Sequence, residues 1–82
     1  MITSTSLKHT TTQAKLFAAM SKARIGSKGV QSKAVAIHNK NEKLMLLCVH
    51  VRSSDFQKTG FHFYDTKTNK NITKKVLTAL RN

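Results

Sequence analysis

The sequence has no proline, no tryptophan, one cysteine, three glycines and only three carboxylates, Glu42, Asp55 and Asp65. Each scarcity excludes something. Without Pro and with so little Gly, the chain is neither a Pro-rich linker nor a low-complexity tail. One thiol, Cys48, cannot staple the chain or build a Cys-rich zinc site. A secreted domain this small ordinarily needs disulfides, so an intracellular, cytoplasmic setting is expected, with organellar targeting left open. The carboxylates offer no acid/base dyad, since Glu42 and Asp55 fall in predicted loops and Asp65 ends a predicted strand. The longest apolar run, Leu44 to Val49, is six residues, far short of a membrane span. The first fifteen residues lack the apolar stretch of a secretory signal. Their Ser/Thr-rich, basic, acid-free composition is similar to that of an organelle transit segment, but is read as a flexible basic arm over residues 1–9, with a single domain over 10–82. No cofactor is implied.

What is present is positive charge. Fifteen Lys and Arg against three acids give +12 at pH 7 in 82 residues. Such an excess repels itself. A polyanion removes the repulsion and gains the entropy of released counterions. RNA or DNA is therefore the expected partner, an acidic protein the next, and a membrane is not expected. Arg is scarce beside Lys, which suits point-charge contact with phosphate better than bidentate reading of guanine.

The chain length allows one small domain. Thr10 and Gln13 have the spacing of a capping box before a helix over Thr11–Arg24. Leu16, Ala19, Met20 and Ala23 form its buried stripe, Phe17 widens it, and Lys15 and Lys22 share the exposed face. Gly26 marks its end. After a loop over Ile25–Ser32, alternation predicts a strand over Lys33–Asn39 with Val35 and Ile37 on one face. A polar turn, Asn39 to Glu42, leads into a strand over Lys43–Arg52. There Met45, Leu47, Val49 and Val51 are assigned to the core, and Leu44, Leu46, Cys48, His50 and Arg52 to the opposite face, because the other choice buries Arg52. Gly60–Asp65 reads as a third strand, with Phe61 and Phe63 on one face and His62 and Tyr64 on the other. Asn71 caps a last helix in which Ile72, Val76, Ala79 and Leu80 line up. The expected fold is α+β: a three-stranded antiparallel sheet with an N-terminal and a C-terminal helix packed on one of its faces.

For chemistry, Cys48 and His50 form the single nucleophile–base pairing, at i, i+2 on one strand face. No Asp or Asn is placed to orient the imidazole, so a buried thiol beside a rim histidine, and no enzyme, is expected. His38, His50 and His62 recur once per strand; on one sheet face they would suit a transition metal, but an exposed basic face is expected instead of a metal site. Gly26-Ser27-Lys28-Gly29 is a basic loop able to wrap a phosphate. The lysines form sets: Lys15 and Lys22 on the first helix, Lys28 and Lys33 flanking the first strand, Lys40 in the turn. Lys67, Lys70, Lys74 and Lys75 gather at the start of the last helix, where free N–H groups also favour an anion. Arg52 and Tyr64, expected on the open sheet face, complete the candidate nucleic-acid site, Tyr64 as a stacking surface.

The element order, with lysines at the start of the final helix, resembles in outline the double-stranded-RNA-binding domain. That resemblance implies recognition of RNA shape through the first helix (Lys15, Lys22), the first strand loop (Asn39 to Asn41) and the start of the last helix (Lys70, Lys74, Lys75). The family's Gly-Pro-His loop signature has no counterpart here. The segment Thr59-Gly60-Phe61 through Lys70 is similar to the Thr-Gly-Phe hairpin and Thr-Lys-x-Asn turn of a small family of large-subunit ribosomal proteins. The leading expectation is a non-enzymatic nucleic-acid-binding protein that contacts the phosphate backbone, RNA favoured over DNA. The alternatives are a small accessory or inhibitor protein of viral or phage type that binds an acidic host protein, and a structural ribonucleoprotein subunit of ribosomal type.

Overall fold

The computed structural model describes residues 10–26, 29–41 and 43–81; the expected arm over residues 1–9 lies outside them. Five elements follow in order: α1 (Thr10–Ala23), β1 (Gln31–Asn39), β2 (Leu44–Arg52), β3 (Gly60–Asp65) and α2 (Thr73–Arg81). The strands form one antiparallel sheet in the order β1-β2-β3, and both helices cover the same face of it, giving the expected α+β architecture.

Leu16, Ala19 and Ala23 place one side of α1 against the sheet, with Met20 half-buried beside them. The two alanines let the helix backbone approach closely. Phe17 does not widen this stripe: it lies 55% exposed, because one residue beyond Leu16 is a turn of about 100° round the helix. Gln13 donates through Nε2 to the Ala79 carbonyl at 3.4 Å, so its amide nitrogen ties α1 to α2. α1 closes with a bond from Arg24 N–H to Met20 O, 3.1 Å.

The β1–β2 connection is a four-residue turn over 40–43, closed by Lys43 N–H to Lys40 O at 3.3 Å. Its left-handed residue is Lys43 (φ 53°), not either asparagine. Asn39 ends β1 buried, with its Nδ2 unpaired among the described residues. The turn sets the register, pairing Ile37 with Leu46 and Val35 with Cys48, while Phe63 pairs with Cys48 from the other side. Leu44, Leu46 and Cys48 are therefore the buried face of β2, with Ile37 and Phe63 as neighbours, and Leu16, Ala19, Val76 and Ala79 of the helices complete the core.

This reverses the face assigned to β2 from its sequence. Met45, Leu47, Val49 and Val51 lie on the uncovered side, and His50 and Arg52 lie on the helix side. Arg52 escapes burial because α1 is short. Fourteen residues of helix span about 21 Å, against roughly 30 Å for nine residues of strand, so the end of β2 emerges beyond the helix. The chain leaving α1 supplies the partners there: Ile25 N–H donates to His50 Nδ1 at 2.9 Å, and Arg52 Nη1 donates to Gly26 O at 3.2 Å.

Asn71 caps α2 as expected, its Oδ1 accepting Thr73 N–H at 3.0 Å. Thr73 Oγ1 accepts Phe63 N–H at 2.9 Å and so fastens the helix start to the outer edge of β3. Val76 and Ala79 are buried, with Ile72, Leu77 and Leu80 half-buried around them. No described helix is long and apolar enough to cross a membrane.

Candidate nucleic-acid interface

Three basic segments far apart in sequence meet at one end of the sheet. The β1–β2 turn carries Lys40 and Lys43, both exposed. Asp65, at the end of β3, pairs with Leu46 close to the start of β2, so the β3–α2 turn lies at the same end. Thr66 fixes it there, donating from Oγ1 to Met45 O at 3.2 Å. That second turn carries Lys67 and Lys70, also exposed. On the helix side, Lys15 reaches the same end and donates through Nζ to His38 O at 3.0 Å. Lys74 and Lys75 stand exposed in the first turn of α2.

Among the described residues the nearby acid, Asp65, forms no ion pair with these lysines. Asp65 is only 8% exposed; its Oδ1 accepts Lys67 N–H at 2.8 Å and its backbone carbonyl accepts Asn69 N–H at 2.8 Å. Its carboxylate therefore shapes the turn, with Asn69 left-handed at φ 57°. Asp55 likewise accepts Gln57 N–H at 3.0 Å in the β2–β3 loop. Glu42 lies outside the described residues.

The remaining candidate residues fall elsewhere. Lys22 sits two turns after Lys15, and both flank a groove of about 220 Å³ between α1 and β1, floored by Ala18, Val35 and Ile37. Lys33 is exposed on β1, opposite His50 in register and on the helix side. Lys28 lies outside the described residues. Arg52 is not on the open sheet face, for the reason given above, so it does not accompany Tyr64. Tyr64 is on the open face, half-buried, beside Leu47. Asn39 is buried within β1, so of the strand-loop residues Lys40 and Asn41 remain exposed. Lys43 is the basic residue that the sequence reading left out of the site. Its proximity to Lys40 in one turn was the available signal.

The thiol–imidazole pair and the histidine row take definite positions. Cys48 is fully buried, and burial pushes its thiol up to about 11. His50 Nδ1 is occupied by Ile25 N–H, and its ring stacks on Phe61 with centroids 4.5 Å apart. His38 and His62 lie on the open face and His50 on the helix face, so the three do not form a row on one face. Among the described residues no group of three His, Cys, Asp or Glu side chains converges on a metal-sized site. No protein-family model matches the chain, and comparison with the curated proteins and with the solved structures likewise finds no match.

Proposed function

We propose that the protein is a non-enzymatic nucleic-acid-binding module that holds the phosphate backbone, RNA favoured over DNA, at the turn-bearing end of its sheet. The observation that carries this reading is the convergence of Lys15, Lys40, Lys43, Lys67 and Lys70 from three segments, beside a carboxylate that accepts the Lys67 backbone N–H. Flexible lysines suit a sequence-independent backbone contact. The preference for RNA rests on the outline resemblance, whose three contact regions contribute Lys15, Lys40 and Lys70 to this end. The non-enzymatic reading is supported by a thiol without solvent access and an imidazole already engaged in the fold.

The test is a salt titration of binding to single- and double-stranded RNA and DNA. Replacing Lys40, Lys43, Lys67 and Lys70 together with Gln is expected to weaken binding to all sequences alike. It should also reduce the slope of log K against log salt by roughly three to four units. The companion set Lys70, Lys74 and Lys75 to Gln is expected to reduce it by about two to three. An unchanged slope in both variants rules out this end of the sheet.

A further inference from the structure

The end of the sheet opposite the lysine-bearing turns holds a different arrangement. Two of the chain's three arginines, Arg24 and Arg52, meet there, although lysines outnumber arginines twelve to three. Together with His50 they line a hollow of about 370 Å³ between the exit of α1 and the β2–β3 loop. A second hollow, of about 450 Å³, shares Arg24 and His50 and continues along α1 beside Met20 and Phe61. Each falls in the size range of small-ligand sites. Among the described residues no carboxylate lines either hollow. Asp55, the acid of the adjoining loop, turns Oδ1 to Gln57 N–H at 3.0 Å.

Backbone groups set two of the three polar side chains in place. His50 Nδ1 accepts Ile25 N–H, so the ring's own proton sits on Nε2, which is a donor. Stacking on Phe61 holds the ring in that orientation. Arg52 gives one N–H to Gly26 O at 3.2 Å and keeps the other donors of its planar fork. Arg24 stands exposed just after α1, where the helix dipole also favours a cation. The dipole accounts for Arg24 alone; it gives no reason for a second guanidinium and an imidazole N–H to line the same hollow. Guanidinium forks and N–H donors with no acid among them match the oxygens of a phosphate. At the same hollow Phe56 is 91% exposed, more than any other large apolar side chain described. Its loop is closed by Lys58 N–H to Asp55 O and by Thr59 Oγ1 to Ser53 O, both 3.0 Å, and presents the ring outward. A bare aromatic face suits a planar ring laid upon it.

We infer that this hollow binds a nucleoside monophosphate, with the phosphate held by Arg24, Arg52 and His50 Nε2 and the base against Phe56. The nucleotide is either free or the phosphorylated end of a nucleic-acid strand; the terminal phosphate beside a base is common to both. Roughly 26 Å of β2 separates this site from the lysine cluster, several screening lengths at physiological salt. Either site can therefore fail without the other.

The test is a titration of the full chain followed by its backbone amide magnetic resonances. Adenosine 5′-monophosphate should bind with a dissociation constant below about 1 mM, and adenosine and inorganic phosphate should each bind at least about tenfold more weakly. Arg24→Gln changes an exposed side chain and should weaken the nucleotide at least about tenfold in a chain whose thermal melt is unchanged. Phe56→Ala should weaken the nucleotide about fivefold or more and leave inorganic phosphate unaffected, a split that a merely structural role does not produce. The variant with Lys40, Lys43, Lys67 and Lys70 replaced by Gln should bind the nucleotide within about twofold of the parent, whatever becomes of its binding to long nucleic acid. A short RNA with a 5′-phosphate, compared with the same RNA ending in a hydroxyl, identifies the source. A gain of at least about tenfold that Arg24→Gln abolishes assigns the strand end, and equal affinities assign the free nucleotide. The inference is overturned by resonances that do not move up to about 5 mM nucleotide, or by a nucleotide bound no more tightly than inorganic phosphate. An affinity indifferent to Arg24→Gln overturns it too. So does a phosphotyrosine peptide that binds more tightly than the nucleotide, since it offers the same phosphate beside a different ring.

Discussion

Cys48 lies in mid-β2 between Val35 and Phe63, wholly shielded from water. Shielding penalises the thiolate, so the folded chain keeps a proton up to about 11 that the unfolded chain releases near the ordinary value of 9.0. The sign follows from proton linkage. The thiol's contribution to stability is fully present below pH 9.0 and is lost as pH rises through about 11. Cys48→Ala should flatten that part of the alkaline loss, seen in denaturant melts compared at neutral and alkaline pH, while costing about 1–2 kcal/mol at neutral pH through a small cavity. Binding to nucleic acid should be unchanged. His50, two residues on, contributes differently: its ring accepts the first free N–H after α1 and stacks on Phe61, joining the helix exit to two strands.

At the scale of elements, the register of β2 makes the sharpest prediction. Leu46→Asp puts a carboxylate among Leu16, Ile37 and Phe63 and should abolish the folded state, whereas Val51→Asp should still melt cooperatively. Circular dichroism melts of the two variants check it; the opposite pattern would restore the face first read from the sequence. The helices, all three strands and their antiparallel order were legible, because Leu16 to Ala23 and Ile72 to Leu80 carry the helical period and the strands are punctuated by polar turns. The face of β2 is not legible in its own pattern, because Leu44 to Val49 is apolar on both sides and Arg52, which breaks the tie, points to the wrong face. Turn length held the answer. A four-residue turn pairs odd positions of β1 with even positions of β2, so Val35 and Ile37 already select Leu46 and Cys48 as their companions. The convergence of Lys40 and Lys43 with Lys67 and Lys70 was not legible, since it depends on how three strands stack end to end.

At the scale of the whole molecule, the described lysines stand on the helix layer, the turns and the helix side of β1, while the strand positions of the far sheet face carry none. Among the described residues the centre of positive charge is therefore displaced from the centre of mass, and they contribute an electric dipole with a component across the sheet. In the field of a polyanion such a body turns before it touches, so the helix layer and turn-bearing end arrive first and the apolar face trails. Orientation in flight is a property of the association step. Stopped-flow mixing with a labelled RNA should show the association rate constant falling at least about tenfold between roughly 0.05 and 0.5 M salt. Over that range Leu47→Arg, which places a cation on the trailing face, should lose less of its rate with salt than a variant charged on the leading side. Chains arriving in random orientation would show no such difference between faces. If the lysines hold a polyanion as proposed, their uneven placement sets not only where it is held but which side of the protein meets it first.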